Sequence, residues 1–445
     1  LQKGKDMDII IGFLLCFLLL LAGVFKGVFV GYPLMLSLII FIIIGIRRGF
    51  KLKSLIIMAF RGGKKSLVVL KIFVLIGGIT AAWMASGTVP AIVYYGLKLL
   101  RPDLFILSAF LISAFVSFLI GTSFGTIGTV GIALMVMARG GGVSVSVTAG
   151  AILSGAYFGD RCSPMSSSAN LIATLTKTDL YINIKNMFKT ALVPFVATCL
   201  IYFIFSKSYP LNASGGNITF EISSVYNVHL ITLLPAVVIL VFSLFKFNVR
   251  TLMILSILIA SILGVTLQDL GIVDMLKYII FGYKIPFESP LQAIIKGGGI
   301  LSMLKVSLVV FISSGFTGIF EETEMLKYIE TLLGKVKGRS STFLSTILIS
   351  IASAAFGCSQ ALSVILTQML VKKNYEANSI KEDSLAVDLE NTAIVIAPLI
   401  PWNIAGLVPL TTLEAGTASI LFAFYLYLIP LWNFVHLKAK DTFNN

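Results

Sequence analysis

Apolar runs of 17 or more residues recur along this chain from Ile9 to Val435, and no other feature constrains its folding as strongly. A helix crossing a ~30 Å hydrocarbon layer needs about 20 such residues and satisfies its own backbone, so an all-α integral membrane protein in a lipid bilayer is the expected class. The composition agrees: 57% of residues are hydrophobic, 12% are charged and the mean hydropathy is +0.99, which excludes a soluble enzyme. A net charge of +14 would suggest nucleic acid in a soluble protein. Here the cations lie mostly between apolar runs, so the excess reports topology and no nucleic-acid partner is expected. Cys16, Cys162, Cys199 and Cys358 lack CxxC or Cys/His spacing. Neither a disulfide framework, a zinc site nor another cofactor is indicated.

Lys3 and Lys5 before the first apolar run imitate a signal peptide, but no small-x-small site follows. The expectation is a retained first helix, with Met7 as the start. Arg47, Arg48, Lys51, Lys53, Arg61, Lys64 and Lys65 crowd the loop after the second run, a density expected on the cytoplasmic side. Spans are then expected at 9–25, 28–46, 66–86, 145–176, 187–206, 229–245, 251–268, 297–320, 384–413 and 415–435. This arrangement puts 23 cations inside and 8 outside. Both termini are expected in the cytoplasm, and the protein in the inner membrane.

Two uncharged stretches, 104–138 and 340–371, are left over, each with glycine near its middle. With a tip at 121–126 the arms of the first are 14 to 17 residues, roughly 21 to 26 Å of helix, so a re-entrant hairpin is expected. Three landmarks recur: Ser86 and Gly87 as Ser314 and Gly315, Gly121 to Ser123 as Gly357 to Ser359, and Ser163 and Pro164 as Ala397 and Pro398. Five spans per half, an odd number, imply two inverted-topology repeats. These are an N-terminal repeat at 8–206 and a C-terminal repeat at 228–436, joined by an extracytoplasmic linker at 207–227. Each would hold a re-entrant hairpin and a broken helix, a plan typical of secondary transporters.

The breaks are where binding is expected. Pro164, Pro398 and Pro401 have no N–H and leave the carbonyls of Asp160, Ile394 and Ala397 without helical partners. Asp160, Ser163, Ser166, Ser167, Ser168 and Asn170 surround the first break; Glu390, Asn391, Thr392 and Asn403 surround the second. Such hard oxygen ligands suit an alkali cation. Asp160 is the leading candidate, because an ionisable residue within a span is costly and marks a pathway. The competing reading is a fixed ion pair with Arg161 or Lys305. Asp388 and Glu390 are taken to begin the second broken helix, where the helix dipole favours acids. Gly121 to Gly125 also fits the G-x-S-x-G elbow of hydrolases, but the only histidines, His229 and His436, lie near span ends and no strand precedes it.

Trp83 to Pro90 with Tyr94 to Gly96, Gly121 to Gly131, Ala149 to Asp160 with Ser163 and Pro164, and Pro398 to Asn403 closely resemble the NhaC family of sodium/proton antiporters, over most of the chain. The resemblance implies sodium as coupling ion near the hairpin tips and makes Thr122, Ser123, Asp160, Ser163, Ser166, Asn170, Glu390 and Asn403 site candidates. Ser123, Ser166 and Asn170 would hold Na+, and Asp160 and Glu390 would couple protons. The family commonly has Asp where this chain has Ser167, Asn391 and Ser359. A neutral oxygen still binds Na+ but carries no proton near pH 7, so proton coupling must rest on Asp160 or Glu390, or be absent. Asn391 stays in the candidate binding set. The expected function is a sodium-coupled antiporter working by alternating access, and no enzyme. The alternatives are coupled transport of an organic acid of the malate/lactate type or an amino acid, a channel, and, least supported, an intramembrane hydrolase. Related folds often dimerise, so a homodimer is one expected assembly.

Overall fold

A computed structural model describes residues 2–444 apart from 27, 100, 212–214, 246, 248, 287–289, 294, 324, 326–335 and 358. Cys358, at the tip of the second helix pair, therefore lies outside the described residues. Helices dominate; the only β structure among the described residues is the antiparallel pairing of Tyr283–Lys284 with Lys296–Gly297.

Among the described residues, six helices are long and apolar enough to cross a membrane: Pro102–Ile120, Ser123–Gly140, Leu180–Ser208, Arg250–Leu267, Ile300–Thr323 and Arg339–Phe356. Three bent helix pairs bring the number to nine, and the apolar helices Ile11–Gly23 and Gly31–Arg47 are shorter. Leu180–Ser208 shows why these helices suit lipid. Leu192, Val196, Leu200 and Ile204 form an exposed stripe at four-residue spacing. Its opposite face buries Asn183, Thr198, Tyr202 and Ser206. Apolar residues outward and polar residues inward reverse the pattern of a water-soluble helix. The chain is thus a helical, multi-pass membrane protein.

The first uncharged stretch folds as two helices that meet at Gly121, whose φ of +71° a glycine adopts without strain. The arms are longer than the sequence reading had them, 19 and 18 residues. Helical structure continues past the uncharged limits, through the turn Pro102–Leu104 on one side and Arg139 on the other. The first arm lies along Val145–Cys162, where Gly155 and Gly159, four residues apart, let the backbones touch. A Cβ at Gly155 would sit 2.3 Å from the Phe110 carbonyl oxygen, and one at Gly159 would sit 2.3 Å from the Phe118 nitrogen. The Ser117 hydroxyl donates to the Ala156 carbonyl across the same seam. Small residues at this spacing allow close helix packing in lipid.

Both expected breaks are present. Val145–Cys162 stops at Ser163, and Ser166 caps the next helix, Ser167–Thr176. The second region runs Glu382–Asn391, Ala393–Ile396 and a 3-10 turn Ala397–Leu399, then bends by 52° into Ile404–Thr412, capped by Asn403. Its first interruption, at Thr392, precedes both prolines. Helix Glu382–Asn391 also begins earlier than expected, with Glu382 and Asp383 in its first turn. Asp388 and Glu390 therefore lie in its last two turns, and the helix-dipole account of them fails. Asp388 is instead held by Arg339 at 2.7 Å and by the Tyr375 hydroxyl at 2.7 Å. The segment 207–227, expected as a polar linker, carries the helix Gly215–Val225.

Candidate functional site

Asp160 sits in the last turn of Val145–Cys162 and is 4% exposed. One carboxylate oxygen accepts from the Ser123 hydroxyl at 3.1 Å; the other accepts from Ser166 at 2.9 Å and from Ser168 at 3.5 Å. Local sequence explains the clasp. Thr122 N-caps the short helix Ser123–Thr126, with its hydroxyl 3.5 Å from the Gly125 amide, which turns Ser123 inward. Ser166 N-caps the helix after the break and accepts from the amides of Ser168 and Ala169. Two helix N-termini, each with positive partial charge, thus stand beside one carboxylate.

The other candidates divide. Ser163 accepts from the Met165 amide at 3.1 Å and shapes the turn without touching Asp160. Asn170 is exposed at the rim, and its amide donates to the carbonyls of Pro164 and Ser166. Asn403 donates to the Ala354 carbonyl at 2.7 Å, and its neighbour Trp402 donates to that of Ala355 at 2.8 Å, so both brace the second helix pair. The Tyr157 hydroxyl donates to the Ala405 carbonyl at 2.7 Å, which joins the two broken helices. Two of the three carbonyls freed by proline have partners: that of Ile394 accepts from the Gln360 side chain at 3.4 Å, and that of Ala397 from the Ile400 amide at 3.2 Å.

Arg161 points away from Asp160, as successive residues on a helix do. It is fully buried and donates to Asn391, to the hydroxyls of Tyr425 (2.9 Å) and Thr190 (3.1 Å), and to the Met187 carbonyl (3.2 Å). Among the described residues, no ion pair joins it to Asp160. Lys305, the other expected countercharge, is exposed. Glu390, next to Asn391, is wholly buried and, among the described residues, has no hydrogen-bond partner at either carboxylate oxygen. Thr190 and Tyr425 escaped sequence reasoning, because a single hydroxyl on an apolar span carries no pattern.

Two cavities flank this cluster. One of about 240 Å³ is lined by Gly121, Thr122 and Ser167 together with Ile76, Arg250 and Met253 from outside the first helix pair. The other, about 430 Å³, reaches Thr190 and Asn391 and is lined by Lys189, Arg339, Asp388, His436 and Lys440. Ser123 has a carboxylate, and neither histidine, as its side-chain partner among the described residues, so the G-x-S-x-G string lacks the histidine that serves a hydrolase elbow. No group of three or more His, Cys, Asp or Glu side chains that could hold a metal occurs among the described residues. Hydroxyls, amides and carbonyls around one or two carboxylates form a donor set for a hard monovalent cation.

The sequence profile of the Na+/H+ antiporter family matches residues 155–437, which include Asp160, both breaks and the Arg161 cluster. The chain is 29% identical to the malate-2H(+)/Na(+)-lactate antiporter of Bacillus subtilis, over 87% of this chain and 84% of that protein. It is 27% identical to the Na(+)/H(+) antiporter NhaC of Alkalihalophilus pseudofirmus over 89% and 87%, and 28% identical to the arginine/ornithine antiporter ArcD of Halobacterium salinarum over 77% and 72%. A buried carboxylate clasped at a helix break, inside a membrane-spanning helical body and within the matched region, fits these likenesses: the chain belongs to the Na+/H+ antiporter family and is a secondary active antiporter.

Proposed function

We propose that this protein exchanges Na+ for H+ across the inner membrane by alternating access. One observation carries the reading: the Asp160 carboxylate, 4% exposed, is met by the hydroxyls of Ser123, Ser166 and Ser168. Each hydroxyl that now donates to the carboxylate can rotate and offer a lone pair instead. A desolvated Na+ beside Asp160 would then be coordinated by Ser123 and Ser166 and by oxygens near the break, with Asn170 at the entrance. A proton on Asp160 removes the charge that holds the cation, so the two compete. Glu390, buried and unpartnered among the described residues, is the second carboxylate of the cation site and the second proton-coupling group, and Thr122, Ser163, Asn391 and Asn403 complete the lining. Na+ and H+ are the partners of this site, and no resident cofactor takes part.

Support for two inverted repeats comes from the caps: Thr122 and Ser166 start helices in the first half, and Ser359 and Asn403 do so in the second, each pair with the same spacing. On this reading 8–206 and 228–436 are the repeats, the helix pairs at 102–140 and 339–377 are re-entrant hairpins, and both termini face the cytoplasm. The homodimer of related folds remains part of the proposal. A second reading, exchange of a small organic solute, is favoured by the 430 Å³ cavity and its lysines, which exceed what a bare ion needs.

Purified protein in liposomes tests both. Na+ added outside should drive proton movement in the opposite direction, and Asp160→Asn, which keeps the volume and removes the charge, should abolish it. Normal exchange by Asp160→Asn would refute the assignment. Na+ flux that requires an added carboxylate solute would select the second reading.

A further inference from the structure

The Arg161 guanidinium is buried among neutral acceptors: its two terminal nitrogens serve Asn391, Tyr425, Thr190, the Met187 carbonyl and, at 3.6 Å, the Cys162 sulfur. Its Nε has no partner among the described residues. One residue along from Asn391, Glu390 is also fully buried, and both of its oxygens lack a donor. A lone charge in a desolvated interior is costly, and pairing is its usual remedy. Here a cation without a carboxylate and a carboxylate without a donor lie on the two broken helices, linked through Asn391, which accepts from Arg161 and directly follows Glu390 in the chain.

We propose that Arg161 is a built-in cation that closes onto Glu390 when the transported cation leaves, so that Na+ and the guanidinium take turns at one carboxylate. This rests on the reading of Glu390 as part of the cation site. Adjacent helical residues point about 100° apart, so an unwinding of the end of Glu382–Asn391, beyond Asp388 and its pair with Arg339, exchanges Asn391 for Glu390 at the guanidinium. The backbone already leaves the helical conformation at Thr392, directly after Asn391. Arg161 is then a positioning residue that returns the empty site to a defined state. Its differential pairing between two conformations is what allows cation binding to bias them.

The test is a double-mutant cycle on the Na+ KM of proton exchange in liposomes at fixed pH, with folding followed by thermal unfolding. Removing the competitor in Arg161→Gln should lower the KM about tenfold, ~1.4 kcal/mol. In a Glu390→Gln background, read by Na+-dependent thermal stabilisation so that no transport is required, the same substitution should leave the Na+ affinity unchanged, and Arg161→Lys in the native background should keep the KM within a few-fold of wild type. An unchanged or raised KM in well-folded Arg161→Gln overturns the proposal. So does an equal gain in Na+ affinity in both backgrounds, which would mean that the charge acts on Asp160 directly. Should Arg161→Gln not fold, Thr190→Val serves: it removes a hydroxyl that holds the guanidinium away from Glu390 and should raise the KM about fivefold, for a hydrogen bond worth ~1 kcal/mol. A fall there overturns the proposal. A wild-type protein with no Na+-driven proton flux defeats the Na+/H+ reading and this inference together; a working exchanger with flat KM values defeats this inference alone.

Discussion

Replacing Gly159 by alanine adds one methyl group at the tightest seam beside the site. The new carbon would stand 2.3 Å from the Phe118 nitrogen, 2.4 Å from the Ser117 Cβ and 2.6 Å from the Ser117 carbonyl carbon, against 3.4 to 4 Å for ordinary contact. Two of those three atoms are backbone, so no side-chain rotation relieves the clash and the helices must separate by roughly 1 Å, the scale of overpacking that costs ~1–3 kcal/mol. The separation acts on function because Ser123 lies on the chain just beyond the displaced helix, and Asp160 directly follows the substituted residue. A 3.1 Å hydrogen bond lengthened by that amount no longer counts as one. Gly159→Ala should therefore unfold at lower temperature in detergent and show a raised Na+ KM in liposomes. Gly416→Ala is the control, since nothing lies within 4 Å of its added carbon. Wild-type melting and wild-type KM in Gly159→Ala would falsify the idea that this contact sets the geometry at Asp160.

Three further outcomes follow from the structure. Asp388→Asn breaks a buried ion pair with Arg339 and weakens the Tyr375 contact; a loss of ~3–5 kcal/mol should appear as poor folded yield or a large drop in melting temperature. Tyr202→Phe removes a buried hydroxyl that contacts Ser154 at 2.8 Å and donates to the Phe422 carbonyl at 2.7 Å, and should cost about 1–2 kcal/mol with Na+ KM unchanged. Asp103, in the 3-10 turn Pro102–Leu104 that precedes the α-helix Phe105–Ile120, has its carboxyl held below the usual range by Lys207, then by Arg101. A depressed folded value means that its contribution is complete above the unfolded value near 3.9 and is lost only as pH falls through the lower one. Asp103→Asn should therefore leave the shape of the transport profile between pH 6 and 9 unaltered, and a shifted profile would contradict this.

How legible the site was can be judged residue by residue. Asp160 stood out because a carboxylate inside an apolar run is costly wherever the chain goes, and Pro164 announced the break beside it. Ser123 and Ser166 were nominated by resemblance and by the small-residue clusters, and the two are found on the same carboxylate. Asp388 and Glu390, two residues apart, looked alike in sequence. One is bound to Arg339 and Tyr375, and the other has no partner, a difference set by what other helices bring to each. The pairing of Arg161 with Asn391 spans 230 residues and has no local trace.

The sequence by itself determined the medium, the helical class and the places where helices fail, since these depend on the transfer of each run into hydrocarbon and on backbone groups that proline and glycine alter locally. Partnership was decided only by the tertiary structure. Which hydroxyl meets which carboxylate, and which buried charge goes unanswered, depends on helix contacts between residues far apart in the chain, where one methyl at Gly159 outweighs any local preference.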